Sequence, residues 1–231
     1  FESQDSPCIT CLRNPALGRE RECEIVQTDK PETVLVAGGG IGGLEAAIIL
    51  KKRGHNPILC ESTDKLGGQF LTAGEAPRKE EMKNAVMAMA EKAKRLGVDI
   101  RMNTAVTPEL IEEINPHTVI NAIGAVPIIP DIPGKDKDFV VDSHYVLDGN
   151  VSVNGNVVVI GGGMVGMETA EYLAGKGAKV TVLEMMKEFC ADMGSTRKIC
   201  VTESIYQEGI TPVTEVKVTE IENGRVVGEK D

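Results

Sequence analysis

The chain has 231 residues, 42% of them apolar and 26% charged, and a formal net charge of −10, a balance of a globular domain rather than of a disordered or fibrous chain. The acidic excess argues against nucleic acid or an anionic membrane as the main partner, and no apolar run is long enough to span a bilayer. Six irregularly spaced cysteines do not make a secreted disulfide scaffold, and with no signal peptide at the start the composition predicts a reducing, cytoplasmic setting.

Residues 1–30 lack hydrophobic periodicity and read as an arm. The first apolar, β-branched run, Val34 to Ala37, predicts a buried parallel strand. A glycine turn follows, then an amphipathic helix over about Leu44–Arg53, closed by Gly54, then a strand over Pro57–Cys60. A helix is expected over Arg78–Leu96, ended by Gly97, with strands near Val98–Met102 and Thr118–Ala122. Ala125–Gly134 carries three prolines and reads as a crossover between domains. A second strand–glycine turn–helix–strand series is predicted at Val157–Ile160, Met167–Lys176 and Lys179–Leu183, with Gly177 closing the helix. A helix near Ser195–Glu208 and strands near Thr211–Val213 and Glu215–Glu220 follow, and Asn223-Gly224 signals a hairpin turn before the charged end.

The two series are copies. VLVAGGGIGGLEAAIILKKRGHNPILCE (34–61) matches VVVIGGGMVGMETAEYLAGKGAKVTVLE (157–184). Gly38 and Gly161, Gly40 and Gly163, Gly43 and Gly166, and Glu61 and Glu184 are each 123 residues apart, which marks a duplicated module. In a GxGxxG turn the first glycine permits the bend and the second lets backbone approach a pyrophosphate. The third lets helix and strand pack closely, and the acid ending the second strand meets a ribose hydroxyl. The helix N-terminus adds free N–H groups and the positive end of its dipole. Two complete copies predict two dinucleotide sites. The first is Gly38, Gly40, Ile41, Gly42, Gly43 and Glu61; the second is Gly161, Gly163, Met164, Val165, Gly166 and Glu184. The bland alternatives are Gly-rich structural turns and solvated strand-end acids.

Further residues sharpen this: Leu66-Gly67-Gly68-Gln69, Ala76-Pro77-Arg78-Lys79-Glu80, Val119 to Ala125 including Ala122 and Gly124, and PIIPDIPG from Pro127. Together with the twin fingerprints, they resemble the two-dinucleotide-binding flavoprotein fold. More narrowly they resemble the C-terminal region of 2-enoate reductase, 2,4-dienoyl-CoA reductase and trimethylamine dehydrogenase. The fold class implied is α/β with two Rossmann-like modules, incomplete at the C-terminus: an arm at 1–30, an FAD-binding module at 31–150 and an NAD(H)-binding module at 151–231. Gly67, Gly68, Gln69, Ala122 and Gly124 join the FAD site on this resemblance.

The resemblance also implies that Cys11, followed by Asn14, Pro15, Gly18 and Glu20, is the last ligand of a [4Fe–4S] cluster whose other cysteines lie upstream of Phe1. Read naively, Cys8 and Cys11 form a CxxC pair for zinc or redox chemistry, but no second pair or His pair completes a zinc site. Cys23, Cys60, Cys190 and Cys200 are expected to be packing residues. His55, His117 and His144 stand singly, with no metal or catalytic role expected, and no catalytic side chain is assigned.

In the family, an FMN-binding (β/α)₈ barrel precedes this region and a Gly-Asp segment returns to the flavin after it. The implied function is therefore the electron-input part of a larger reductase. NADH passes hydride to FAD, and electrons continue through the [4Fe–4S] cluster to FMN and an enoate C=C bond. Two alternatives remain open: a non-catalytic ADP-binding domain, as in trimethylamine dehydrogenase, and a disulfide reductase. The latter needs a close cysteine pair, whereas Cys190 and Cys200 are ten apart.

Overall fold

The computed structural model describes residues 11–191 and 193–230, except the side chains of Ser195 and Thr196. The Cys8 half of the CxxC reading lies outside the described residues. The chain divides into two compact units, with the main boundary in sequence between Val126 and Pro127. Residues 127–150, expected with the first module, cluster with the second unit. Their apolar anchor is Val146, which joins the core containing Met167 and Val182.

The first unit runs β1 (Thr33–Ala37), α1 (Ile41–Lys52), β2 (Asn56–Cys60), α2 (Gln69–Ala73), α3 (Glu80–Arg95), β3 (Asp99–Arg101), α4 (Pro108–Ile114) and β4 (Thr118–Asn121). Its sheet is parallel throughout, in the order β3-β2-β1-β4. The order reverses at β1, and the crevice beyond the carboxyl ends of β1 and β4 is where such sheets bind ligands. Val34 to Ala37 are all buried, as expected of a central parallel strand covered on both faces. One face packs Val34 and Val36 against Leu44 and Ile48 of α1 and Val86 of α3.

The second unit runs α5 (Ser143–Leu147), β5 (Asn156–Ile160), α6 (Met164–Gly175), β6 (Lys179–Leu183), α7 (Ser195–Gln207), β7 (Thr211–Val213), β8 (Val216–Glu222) and β9 (Arg225–Lys230). Strands β5-β6-β7 form a parallel sheet, and β8-β9 form a hairpin closed by Asn223-Gly224, with Gly224 at φ +80°. The core gathers Met167, Ala170, Val180, Val182 and Ile205. Among the described residues β5 pairs on one edge only, and Val158 and Ile160 stay part-exposed where their counterparts in β1 are buried.

Several boundaries differ from the sequence expectation, each for a local reason. Both fingerprint helices begin three residues early, at Ile41 and Met164, because the turn is complete by Gly40 and Gly163, which cap them. The first i→i−4 bonds are Leu44 N–H to Gly40 O (2.9 Å) and Met167 N–H to Gly163 O (3.0 Å). Arg78 (φ +63°) and Glu215 (φ +59°) are left-handed, so α3 and β8 start after them. Helices α2, α4 and α5 have no counterpart in the sequence expectation, whereas strand β9 is the second arm of the hairpin that Asn223-Gly224 signals. For α4 the signal was present: Thr107 accepts a bond from Leu110 N–H and Pro108 occupies the first turn.

Gly54 and Gly177, both at φ +92°, end α1 and α6 as expected. The arm has no helix or strand in its described part, 11–30. Its last residues finish α1: Thr28 N–H donates to Arg53 O at 2.8 Å, and the Gln27 side chain donates to Lys52 O. No helix among the described residues is long and apolar enough to cross a membrane.

Candidate dinucleotide sites

The first glycine turn joins β1 to α1. Gly38 sits at φ +106°, and a Cβ there would lie 2.3 Å from Ala122 O, so both conformation and space demand glycine. A Cβ on Gly43 would fall 1.8 Å from Gly38 O, which is how α1 packs so close to the turn. Gly40 and Gly42 are different: a Cβ on either meets no protein atom within 4 Å. That free space stands at the N-terminus of a 12-residue helix with no side-chain cap and no acid in its first turn. The residues therefore fit a pyrophosphate, which would accept the unsatisfied N–H groups of Ile41, Gly42 and Gly43.

Glu61 follows β2 and is only 8% exposed, so it is not a solvated strand-end acid. Its Oε2 accepts Gly39 N–H at 2.7 Å, and its Oε1 accepts Thr63 N–H at 2.8 Å and lies 2.9 Å from the Thr63 hydroxyl. Burial pushes the Glu61 carboxyl up; the N–H groups of Thr63 and Gly39, with the hydroxyls of Thr63 and Ser62, outweigh it and hold the group below its ordinary range. Because the folded value is depressed, Glu61 adds stability that is present above the unfolded carboxylate value. That stability is lost as pH falls through the folded one. Thermal denaturation of Glu61→Gln and the unmodified chain is expected to converge in acid and diverge toward neutral pH.

The segment after Glu61 returns to the turn. Gly67 N–H donates to Gly39 O at 2.9 Å, giving a parallel bridge between Gly67 and Gly40, and a Cβ on Gly68 would lie 3.2 Å from Gly40 Cα. The Gln69 side chain donates to Ala125 O at 2.6 Å, tying this loop to the segment that carries Gly124, itself at φ +79°. The structure thus gathers Gly38, Gly40, Gly43, Glu61, Gly67, Gly68 and Ala122 around one turn, with Gln69 and Gly124 joined to it through Ala125.

The second unit repeats the arrangement. Gly161 sits at φ +103°, Gly163 caps α6, and a Cβ on Gly166 would lie 1.9 Å from Gly161 O. Met164 and Val165 form the first turn of α6, with Val165 half exposed, and this N-terminus also has no side-chain cap. Glu184 accepts Gly162 N–H at 2.6 Å and Met186 N–H at 2.7 Å.

Sequence reasoning missed the middle glycines, Gly39 and Gly162. Their N–H groups bond the acids, and their carbonyls accept Gly67 N–H and Cys190 N–H, at 2.9 and 2.7 Å. A Cβ on Gly39 would meet Leu66 at 2.5 Å, and one on Gly162 would meet Phe189 at 3.2 Å. The signal was available: Leu66 and Phe189, and Gly67 and Cys190, keep the 123-residue spacing. Cys190 even adopts a glycine-like φ of +53°.

Cys60 and Cys190 are buried, as packing residues should be, whereas Cys23, on the coreless arm, and Cys200, on α7, are exposed. Cys11 is exposed too, and among the described residues no group of three or more His, Cys, Asp or Glu could hold a metal ion. The described residues by themselves do not build a [4Fe–4S] site. A thiol reagent is expected to modify Cys11, Cys23 and Cys200 quickly in the native protein, and Cys60 and Cys190 only on denaturation; burial also pushes the Cys60 thiol up, away from the reactive thiolate.

Two parallel-sheet units, each with a glycine turn, a helix without a side-chain cap and a turn-bonded acid, define a tandem dinucleotide-binding protein. Residues 33–119 match the FAD dependent oxidoreductase family and residues 111–231 the pyridine nucleotide-disulphide oxidoreductase family. The chain belongs to the pyridine nucleotide-disulphide oxidoreductase family. It is 38% identical to bilirubin reductase of Mediterraneibacter gnavus (strain CC55_001C) over 226 residues, 98% of this chain and 35% of that protein. It is 40% identical to NADH oxidase of Thermoanaerobacter brockii over 218 residues, 92% of this chain and 34% of that one. A solved 2-naphthoyl-CoA reductase superposes with a TM-score of 0.91 at 29% identity, covering 96% of this chain and 34% of that one. The chain therefore spans about a third of the length of each of these three relatives.

Proposed function

We propose that this chain is the electron-input part of a larger NADH-dependent flavoprotein reductase, with FAD on the first unit and NADH on the second. The observation that carries this reading is the duplicated turn whose strand-end acid bonds the middle glycine's N–H in both units. Gly40 and Gly42 would face the FAD pyrophosphate, Glu61 its ribose, and the loop from Gly67 to Gln69 would flank it. Gly163, Met164 and Val165 would hold the NADH pyrophosphate and Glu184 its ribose. When bound, FAD supplies the ability to accept a hydride and release single electrons. The protein's own work is to bind and orient, and no side chain here is assigned acid–base chemistry.

In the larger reductase, Cys11 would be one ligand of a [4Fe–4S] cluster. FMN and the site for an enoate-type C=C bond would belong to a barrel domain outside these residues. The names bilirubin reductase and 2-naphthoyl-CoA reductase support a reductase of this kind.

The test is reduction of FAD by NADH in the full-length protein. Bleaching of the flavin band on adding NADH without oxygen, and its loss in Gly166→Ala, is the expected result. A full-length protein that binds ADP at the first unit, carries no FAD there and shows no bleaching would instead support the nucleotide-binding alternative.

A further inference from the structure

The two acids hold the same place in the repeat, yet their acceptor capacity differs. A carboxylate offers about four lone-pair positions, two on each oxygen. At Glu61, Oε1 faces three donors: Thr63 N–H at 2.8 Å, the Thr63 hydroxyl at 2.9 Å and the Ser62 hydroxyl at 3.3 Å. The Thr63 hydroxyl also lies 3.1 Å from Lys65 O, the longer of its two acceptors. Oε1 is therefore filled, and Oε2, bonded to Gly39 N–H alone, keeps one position. At Glu184 each oxygen takes a single backbone N–H, from Met186 on Oε1 and Gly162 on Oε2. One position stays open on each oxygen. The cause lies in the next two residues: Ser62-Thr63 in the first unit carry hydroxyls, and Met185-Met186 in the second carry none.

We infer that Ser62 and Thr63 limit Glu61 to reading one ribose hydroxyl, whereas Glu184, free of such partners, reads both. The inference rests on the nucleotide-site reading above. Two vicinal hydroxyls can engage the two open oxygens of Glu184 together. At Glu61 only Oε2 can accept, and either hydroxyl serves. The first site therefore tolerates loss of the 2′-OH or of the 3′-OH, and the second tolerates neither. Ser62 and Thr63 are positioning residues: they act on the nucleotide only through Glu61.

The experiment uses the ¹⁵N-labelled chain and follows the amide signals of Gly39 and Gly162, each bonded directly to its acid. Titrants are ADP, 2′-deoxy-ADP and 3′-deoxy-ADP. At Gly39 both deoxy analogues are expected within about three-fold of ADP; at Gly162 each is weaker by about ten-fold, the loss of one hydrogen bond to a charged group. Removing the hydroxyls by Ser62→Ala with Thr63→Val should open Oε1 and introduce the ten-fold penalty at Gly39, a gain of discrimination that a merely structural role would not produce. Met185→Ser with Met186→Thr should erase the penalty at Gly162, which keeps the test decisive if the first pair of changes unfolds its unit. Equal penalties at both glycines in the unmodified chain, or penalties unmoved by either pair of changes, would overturn this inference while leaving the two sites standing. ADP that moves neither amide would overturn the site reading, and the inference with it.

Discussion

Gly43→Ala is expected to abolish nucleotide binding at the first unit, and Gly166→Ala at the second, each leaving the other site intact. The added methyl would sit 1.8 or 1.9 Å from a backbone carbonyl oxygen, that of Gly38 or Gly161. Helix and turn must then separate, at a cost of about 1–3 kcal/mol or more for overpacking, and the N–H groups aimed at the pyrophosphate move with them. Calorimetric titration with ADP should show at least a roughly 100-fold loss at the altered site, or about 2.8 kcal/mol. Two neighbours act as controls. Gly42→Ala places its methyl in open space within a helix, so it should leave stability unchanged or raise it by about 0.4–1 kcal/mol. Gly40→Ala should fold normally, because its methyl touches no protein atom, yet lose affinity because the methyl takes the space of the phosphate. If Gly40→Ala binds as well as the unmodified chain, the pyrophosphate is misplaced.

Glu184→Arg is expected to narrow or invert a preference for NADH over NADPH of about 10–100-fold, equivalent to ~1.4–2.8 kcal/mol. The carboxylate is held toward the turn by Gly162 N–H and Met186 N–H, so a ribose hydroxyl can donate to it, whereas a 2′-phosphate meets like charge. Met185 and Met186 are exposed and carry no charge, so the nearest following cation is Lys187. Lys187→Ala should therefore widen the ratio if this side chain reaches a phosphate. Glu61→Arg should leave the ratio unchanged, since it lies in the other unit. Titrations of each variant with both nucleotides measure this, and tighter NADPH binding by the unmodified chain would remove Glu184 from the selectivity role.

The legible part of this protein was local. Val34 to Ala37 and Val157 to Ile160 announce strands by their β-branched runs, and Lys179–Leu183 and Thr211–Val213 were read with the bounds the structure shows. Gly54, Gly97 and Gly177 end their helices at positive φ, as their placement foretold. Short elements were harder. Helices α2 and α5 have five residues each, too few to display a helical period, and α5 depends on an Asp142 cap for its start. At the site, the glycines and acids were readable because their spacing follows from one tight turn and one helix length. Their mutual bonding was not readable.

What the sequence alone determined is the duplication, the two turns and the acid at the end of each second strand. These follow from backbone conformation over a few residues, where glycine permits a positive φ and β-branching favours a strand. What only the tertiary structure decided is the closure of each site across longer gaps. Glu61 reaches back 22 residues to Gly39, Gly67 returns to the same glycine's carbonyl, and Ala122 lies against Gly38 because β4 pairs with β1 rather than with β3. The difference between the two acids belongs to this second group. It depends on where the hydroxyls of Ser62 and Thr63 come to rest once β2 and the glycine turn are packed together, and a hydrogen bond between such segments exists only after the sheet has brought them within reach.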